Sequence, residues 1–153
     1  GIVSTPIQSR SHLKVIPVKE ISDIFVAGKK FEHLKGKKLS YKALEEYPVM
    51  CLEGTTSTRR YVEEFLGQEG VTLHPEFELA TSDMLIQFAI RNLGIASVVS
   101  EFAKEQMESG VLFPLAFEKT IPKRHFCIVS DERVPLSAAA AMLLDSLSVK
   151  EKT

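Results

Sequence analysis

The sequence predicts an α/β fold with a mixed, mostly parallel sheet flanked by helices, and three observations carry the prediction. Two apolar runs with strand character, residues 48–52 and 77–79, are each followed by a hydroxyl-rich turn and an amphipathic helical stretch. The turns are Gly54-Thr55-Thr56-Ser57-Thr58 and Thr81-Ser82, and a third apolar run, residues 94–99, follows the second helix. Strand–turn–helix repeated in this order implies right-handed crossovers between parallel strands. Such sheets bind ligands beyond the carboxyl ends of their strands, where helix N-termini present N–H groups.

Element by element, Gly1-Ile2-Val3 reads as a strand ending at Ser4-Thr5-Pro6. Residues 13–18 and 21–27 read as two further strands, the second alternating polar and apolar side chains. Residues 28–38 form a loop in which five lysines face one glutamate, the pattern of a solvated segment. Helices are expected at 40–47, 57–69, 82–91, 100–109 and 136–149. In the third of these, Met84, Leu85, Phe88 and Ala89 share one face at the spacing of a buried stripe. Asn92 follows where the chain must turn, and asparagine tolerates the left-handed conformation needed there. Gly94 reads as a tight connection into the next strand, and residues 125–129 supply the last strand.

With 153 residues the chain can bury a substantial core in one or two small domains. A net charge of −1 lacks the basic excess of a domain that binds nucleic acid by itself. No run of about 18 apolar residues exists, so a membrane span is not expected. The start at Gly1 shows no signal-peptide pattern and lies inside strand-like sequence, which reads as a fragment of a longer cytoplasmic protein. Cys51 and Cys127 lie in apolar runs and read as small core hydrophobes in a reduced compartment.

No catalytic constellation is visible. The four histidines are isolated, with no His-Glu-x-x-His and no Cys-x-x-Cys to build a metal site. A P-loop, a Gly-x-Gly-x-x-Gly fingerprint and a Gly-x-Ser-x-Gly elbow are likewise missing. The reading is a binding domain, not an enzyme, with no metal and no cofactor.

Several segments together carry a family resemblance. Glu53-Gly54-Thr55-Thr56-Ser57-Thr58-Arg59 followed by Phe65, then Thr81-Ser82-Asp83 and residues 92–99, resembles the effector-binding region of LysR-type transcriptional regulators. Ser40-Tyr41-Lys42-Ala43-Leu44 and the closing run 136–144 fit the same pattern, although the family prefers glycine where Asn92 stands. The resemblance implies a type II periplasmic-binding-protein-like fold with one complete α/β subdomain and part of a second. Residues 18–116 would hold the outward hinge strand and the second subdomain. Residues 1–17 and 117–153 would hold the partial first subdomain, and the chain would cross between subdomains near 18–25 and near 115–123.

The function so implied is the sensing of a small anionic effector between the subdomains, in a homodimer or higher homo-oligomer. DNA would be reached only through a winged helix-turn-helix absent from this chain. A type II periplasmic solute-binding protein for a small anion is the alternative, and an enzyme subdomain such as the catalytic lobe of a prephenate dehydratase is a third.

The best ligand candidates are Gly54, Thr55, Thr56, Ser57 and Arg59. Glycine admits close backbone approach, and the hydroxyls sit beside helix N–H groups. Positive charge at a helix start opposes the macrodipole, so Arg59 and Arg60 must either swing into solvent or help surround an anion. An ordinary hydroxyl N-cap is the competing reading of this turn. Thr81 and Ser82 form a second candidate, with Ser82 as N-cap and Asp83 disfavouring an anion. Ser4 and Thr5 form a third, placed by the family resemblance at an effector contact.

Overall fold

The computed structural model describes residues 2–4 and 13–131. They fall into two compact units, one drawn from Gly1–Ile21 and Lys123–Thr153, the other formed by Ser22–Pro122. The chain opens with β1 (Ile2–Ser4) and β2 (Leu13–Ile21). The second unit then builds β3 (Asp23–Ala27), β4 (Lys38–Leu39), β5 (Val49–Leu52), α1 (Ser57–Gln68), β6 (Phe77–Leu79) and α2 (Ser82–Ile90). It continues through β7 (Ile95–Val99), α3 (Lys104–Ser109), β8 (Phe113–Pro114) and β9 (Ala116–Phe117). The chain then returns to the first unit as β10 (Arg124–Asp131).

In the first unit the described residues form an antiparallel sheet in the order β1-β10-β2. The register of β10 against β2 slips between Phe126 and Cys127, which brings Cys127 opposite Pro17. Proline has no N–H to give to a ladder, so an outer strand with a bulge is where the sheet tolerates it. The expected helix at 136–149 lies outside the described residues.

The second unit carries a five-stranded sheet in the order β6-β5-β7-β3-β8. Its three strands β6, β5 and β7 run parallel, as the repeated strand–turn–helix pattern requires. β3 is antiparallel to both β7 and β8. Period-two alternation sorts the side chains to two faces. Phe25, Ala27, Val49 and Ile95 join Val62 and Leu66 of α1 on one face. Val26, Met50, Ala96 and Val98 join Leu85, Ile86 and Ala89 of α2 on the other. The crossover through α1 runs from β5 outward to β6, and that through α2 runs back past β5 to β7. Reversing direction with constant right-handedness puts the two helices on opposite faces.

The buried stripe of α2 is Leu85, Ile86 and Ala89, rotated toward Ile86 from the expected one. Met84 is 41% exposed, and Phe88 sits at the core margin with its ring 5.5 Å from that of Phe77. Two expected helices are shorter or tighter than expected. Residues 41–46 are a 3₁₀ segment, and 100–109 divides into a 3₁₀ turn, Ser100–Ala103, and α3. Most of the lysine-rich loop also winds into a 3₁₀ segment, Lys29–Leu34, because Phe31 and Leu34 are buried there. β4, β8 and β9 are two residues each, too short to leave a periodic trace in the sequence.

Asn92 adopts φ 61°, as its place after a helix suggested. Its Oδ1 accepts from the backbone N–H of Lys30 at 3.0 Å, which fastens the helix end to the lysine-rich segment. A Cβ on Gly94 would stand 2.8 Å from the Pro48 carbonyl oxygen, so glycine permits the close approach of β7 to β5.

Candidate functional site

The turn between β5 and α1 lies at the carboxyl end of a central parallel strand. Glu53 is held to the neighbouring strand by its N–H bond to the Leu79 carbonyl at 3.0 Å. The chain then tightens, and the Thr56 N–H and hydroxyl both donate to the Glu53 carbonyl, at 3.1 and 3.0 Å. Thr56 is the N-cap of α1, its Oγ1 accepting from the Arg59 N–H at 3.2 Å. Ser57 is therefore the first helical residue, not part of the preceding turn. Thr55 and Ser57 are exposed, and no hydrogen bond among the described residues engages their hydroxyls. Gly54 is also exposed, and a Cβ there would meet only the Arg59 Nη1, at 4.0 Å.

Arg59 does not swing into solvent. It turns inward, buried at 8% exposure, and its Nη1 donates to the Leu52 carbonyl at 2.9 Å and to Glu78 Oε1 at 3.1 Å. Its Nε donates to Glu63 Oε1. Burial works against the charge, but the Cys51 side chain and the carboxylates of Glu78 and Glu63 outweigh it and raise the guanidinium pKa. The reason is local: Arg59, Val62 and Leu66 lie at i, i+3 and i+7, so the inward face of α1 begins with an arginine. The cation balances two carboxylates and holds the turn against the sheet. Arg60, exposed on the same helical turn, makes no ion pair among the described residues.

Beneath the turn, Cys51 is a buried free thiol, and burial first of all pushes its pKa up to about 11. Arg59 opposes that rise, and Glu78 and Glu63 add to it. An un-ionised thiol is a poor nucleophile, so Cys51 is a core residue.

At the second candidate turn the cap is Thr81, not Ser82: its side chain accepts from the Met84 N–H at 3.2 Å. Ser82 is the first helical residue, and Asp83 supplies the negative charge of the first turn. Both hydroxyl turns thus use a threonine as cap and a serine just inside. Ser4 ends β1, while Thr5 lies outside the described residues.

A family model described as LysR substrate binding domain matches residues 1–149. The chain belongs to that family. It is 26% identical over 124 residues to the HTH-type transcriptional activator CmpR of Synechocystis sp., a match covering 81% of this chain and 41% of that regulator. Among solved structures it superposes on the CcmR regulatory domain of Synechocystis PCC6803, determined in complex with 2-PG, with TM-score 0.80 and 21% identity. That match covers 99% of this chain and 73% of the other. The effector binding domain of QuiR in complex with shikimate matches at TM-score 0.72 and 10% identity, over 98% of this chain and 70% of that one. The regulatory domain of CrgA from Neisseria meningitidis matches at TM-score 0.69 and 15% identity, over 97% and 74%.

As a LysR substrate-binding domain the chain is of a kind that binds small molecules and is not an enzyme. Its α/β fold is the type II periplasmic-binding-protein-like fold implied by the resemblance. No helix among the described residues is long and apolar enough to cross a membrane. What the sequence did not disclose is the carboxylate shell of Arg59. Glu63 follows one helical turn later and was open to notice, but Glu78 is 19 residues away and reaches Arg59 only through the pairing of β6 with β5.

Proposed function

We propose that this chain is the effector-sensing domain of a LysR-type transcriptional regulator and that a small anionic molecule docks on the turn formed by residues 54–57. The observation that carries the reading is the open turn itself. It stands at the carboxyl end of β5 and at the start of a 12-residue helix, with the hydroxyls of Thr55 and Ser57 exposed and unengaged. Gly54 leaves room for close approach, and the positive end of the α1 dipole favours a negative group. Thr56 contributes by capping, because its hydroxyl is already committed in both directions. Arg59 supports the turn from below, and Arg60 is the exposed cation of the same helical turn. Thr81 and Ser82, at the start of α2 in the same unit, complete the proposed contact set. The relatives solved with 2-PG and with shikimate, a carboxylate, support an effector of this class.

In this reading the full-length protein acts in the cytoplasm as a homodimer or higher oligomer, with DNA contacted by a separate winged helix-turn-helix domain. The apolar side chains Phe77 and Met84, 37% and 41% exposed beside the outer strand β6, support self-association.

Titration calorimetry with a panel of phosphorylated and carboxylate metabolites, beginning with 2-PG and shikimate, tests the site. Thr55→Ala and Ser57→Ala should each weaken binding of the responding ligand by about tenfold, the worth of one hydrogen bond to a charged group. Unchanged affinity in both variants would move the site elsewhere.

A further inference from the structure

A cavity lies at the opposite, amino end of β5 and plays no part in the effector reading. Its volume is about 310 Å³. The floor is apolar and buried, made by Leu44, Val49 and Val71. Tyr47 and Leu73, both half-buried, form the walls. Thr72, His74 and Glu45 stand exposed at the rim.

The walls are held in place without a ligand. The Val71 N–H donates to the Leu66 carbonyl at 2.8 Å, and the Tyr47 N–H to the Leu44 carbonyl at 3.3 Å. The Glu76 N–H donates to the Val49 carbonyl at 2.7 Å, fixing the segment that carries Leu73 and His74. Lys42 Nζ approaches both Glu45, at 3.2 Å, and the Gly70 carbonyl, at 3.5 Å, spanning from one wall to the other.

Size and charge narrow the occupant. A dry cavity of about 150 Å³ suffices for benzene, so twice that volume accepts one ring with a polar substituent. Lys42, the cation beside the rim, is paired with Glu45, and the Glu45 carboxylate in the lining disfavours an anion there. Burying an unpaired charge costs far more than burying a hydroxyl that finds a partner. Thr72 and His74 offer that partner, since no hydrogen bond among the described residues engages either side chain. We infer that this cavity is a second small-molecule site, which takes a neutral, one-ring molecule bearing a hydroxyl group. It differs from the turn at residues 54–57 in its end of the strand and in the charge of its ligand.

Phenol is the probe and benzoate its charged counterpart, each titrated into the chain while methyl NMR signals of Val49 and Val71 are followed. Phenol should shift those methyls with an affinity of about millimolar, and benzoate should bind at least about tenfold more weakly. Thr72→Trp, at an exposed rim position, should close the mouth and abolish the phenol shifts. Should that variant fail to fold, His74→Trp makes the same block from another exposed position. The inference is overturned if phenol leaves the Val49 and Val71 methyls unmoved up to its solubility limit. It is equally overturned if benzoate binds as well as phenol, or if both rim variants fold and still bind it.

Discussion

Arg59 Nη1 lies 3.1 Å from Glu78 Oε1, so a side chain in the first turn of α1 is tied directly to the outer strand β6. With the bonds to the Leu52 carbonyl and to Glu63, one buried guanidinium joins the end of β5, the helix that leaves it and the strand that helix leads to. The arrangement fastens a hydroxyl turn that is open to solvent to the sheet beneath it.

Replacing Arg59 by alanine should destabilise the domain by about 1–3 kcal/mol, read as a shift of the urea midpoint with unchanged slope. Most of that loss comes from the part-buried bond to the Leu52 carbonyl. Glu63 and Glu78 are 43% and 51% exposed, so water replaces much of what the ion pairs supplied. Arg59→Lys should recover only part, because an ammonium lacks the planar fork that reaches several acceptors together. A full recovery by lysine would reduce the interaction to simple charge.

The two threonine caps and their neighbours should separate stability from binding. Thr56→Ala and Thr81→Ala each remove a side-chain acceptor from a helix N-terminus and should cost about 1 kcal/mol. Thr55→Ala and Ser57→Ala remove hydroxyls that hold nothing in the folded chain, and their melting temperatures should stay within about a degree of wild type. Thermal melts of the four variants give the comparison. Equal losses at all four positions would show that Thr55 and Ser57 are structural after all.

Why one part of this fold was legible and another was not follows from interaction range. The runs 48–52 and 94–99, the intervening helices and the turn at 54–58 announce themselves through periodicity and local composition, and the structure holds elements at each. The cap positions were ambiguous because a threonine and a serine stand side by side at both helix starts, and only the bonds to Arg59 and Met84 distinguish them. β4 and β9 pair in parallel from 78 residues apart at Lys38 and Ala116, with two residues each, so neither carries a signal by itself. The stacking of Tyr41 on Phe117, at 4.1 Å between ring centroids, is likewise a product of the fold, not of any local pattern.

Glycines at two places should respond differently to alanine. At Gly94 a Cβ would lie 2.8 Å from the Pro48 carbonyl oxygen and 3.2 Å from the Met50 side chain, and paired strands on both sides resist the necessary shift. Gly94→Ala should therefore cost about 1–3 kcal/mol. Gly54→Ala meets only the Arg59 Nη1 at 4.0 Å and should leave stability within about 0.5 kcal/mol, while narrowing the turn to a ligand. Chemical denaturation measures the first, and calorimetry with the responding ligand the second.

Alkaline pH should weaken the fold over a defined window. Burial, with a smaller push from the Glu69 carboxylate, raises the Tyr41 phenol from 10.0 to about 12, and burial foremost raises the Cys51 thiol from 9.0 to about 11. Both groups keep their protons more tightly in the folded chain than in the unfolded one. Their contribution is complete below about pH 9 and shrinks as the unfolded thiol and then the unfolded phenol ionise. It is gone above about pH 12, when the folded groups have ionised too. Each pH unit of separation is worth about 1.4 kcal/mol, so each group accounts for about 2–3 kcal/mol across its own window. Urea denaturation at intervals from pH 8 to pH 12 should show unfolding free energy falling along this course. Cys51→Ala should start lower, because it leaves a small cavity, and decline less between about pH 9 and pH 11. Tyr41→Phe, which forfeits the 2.6 Å bond to the Lys119 carbonyl, should flatten the curve between about pH 10 and pH 12 instead. Curves for both variants running parallel to wild type would mean that neither buried group is protected from ionisation by the fold.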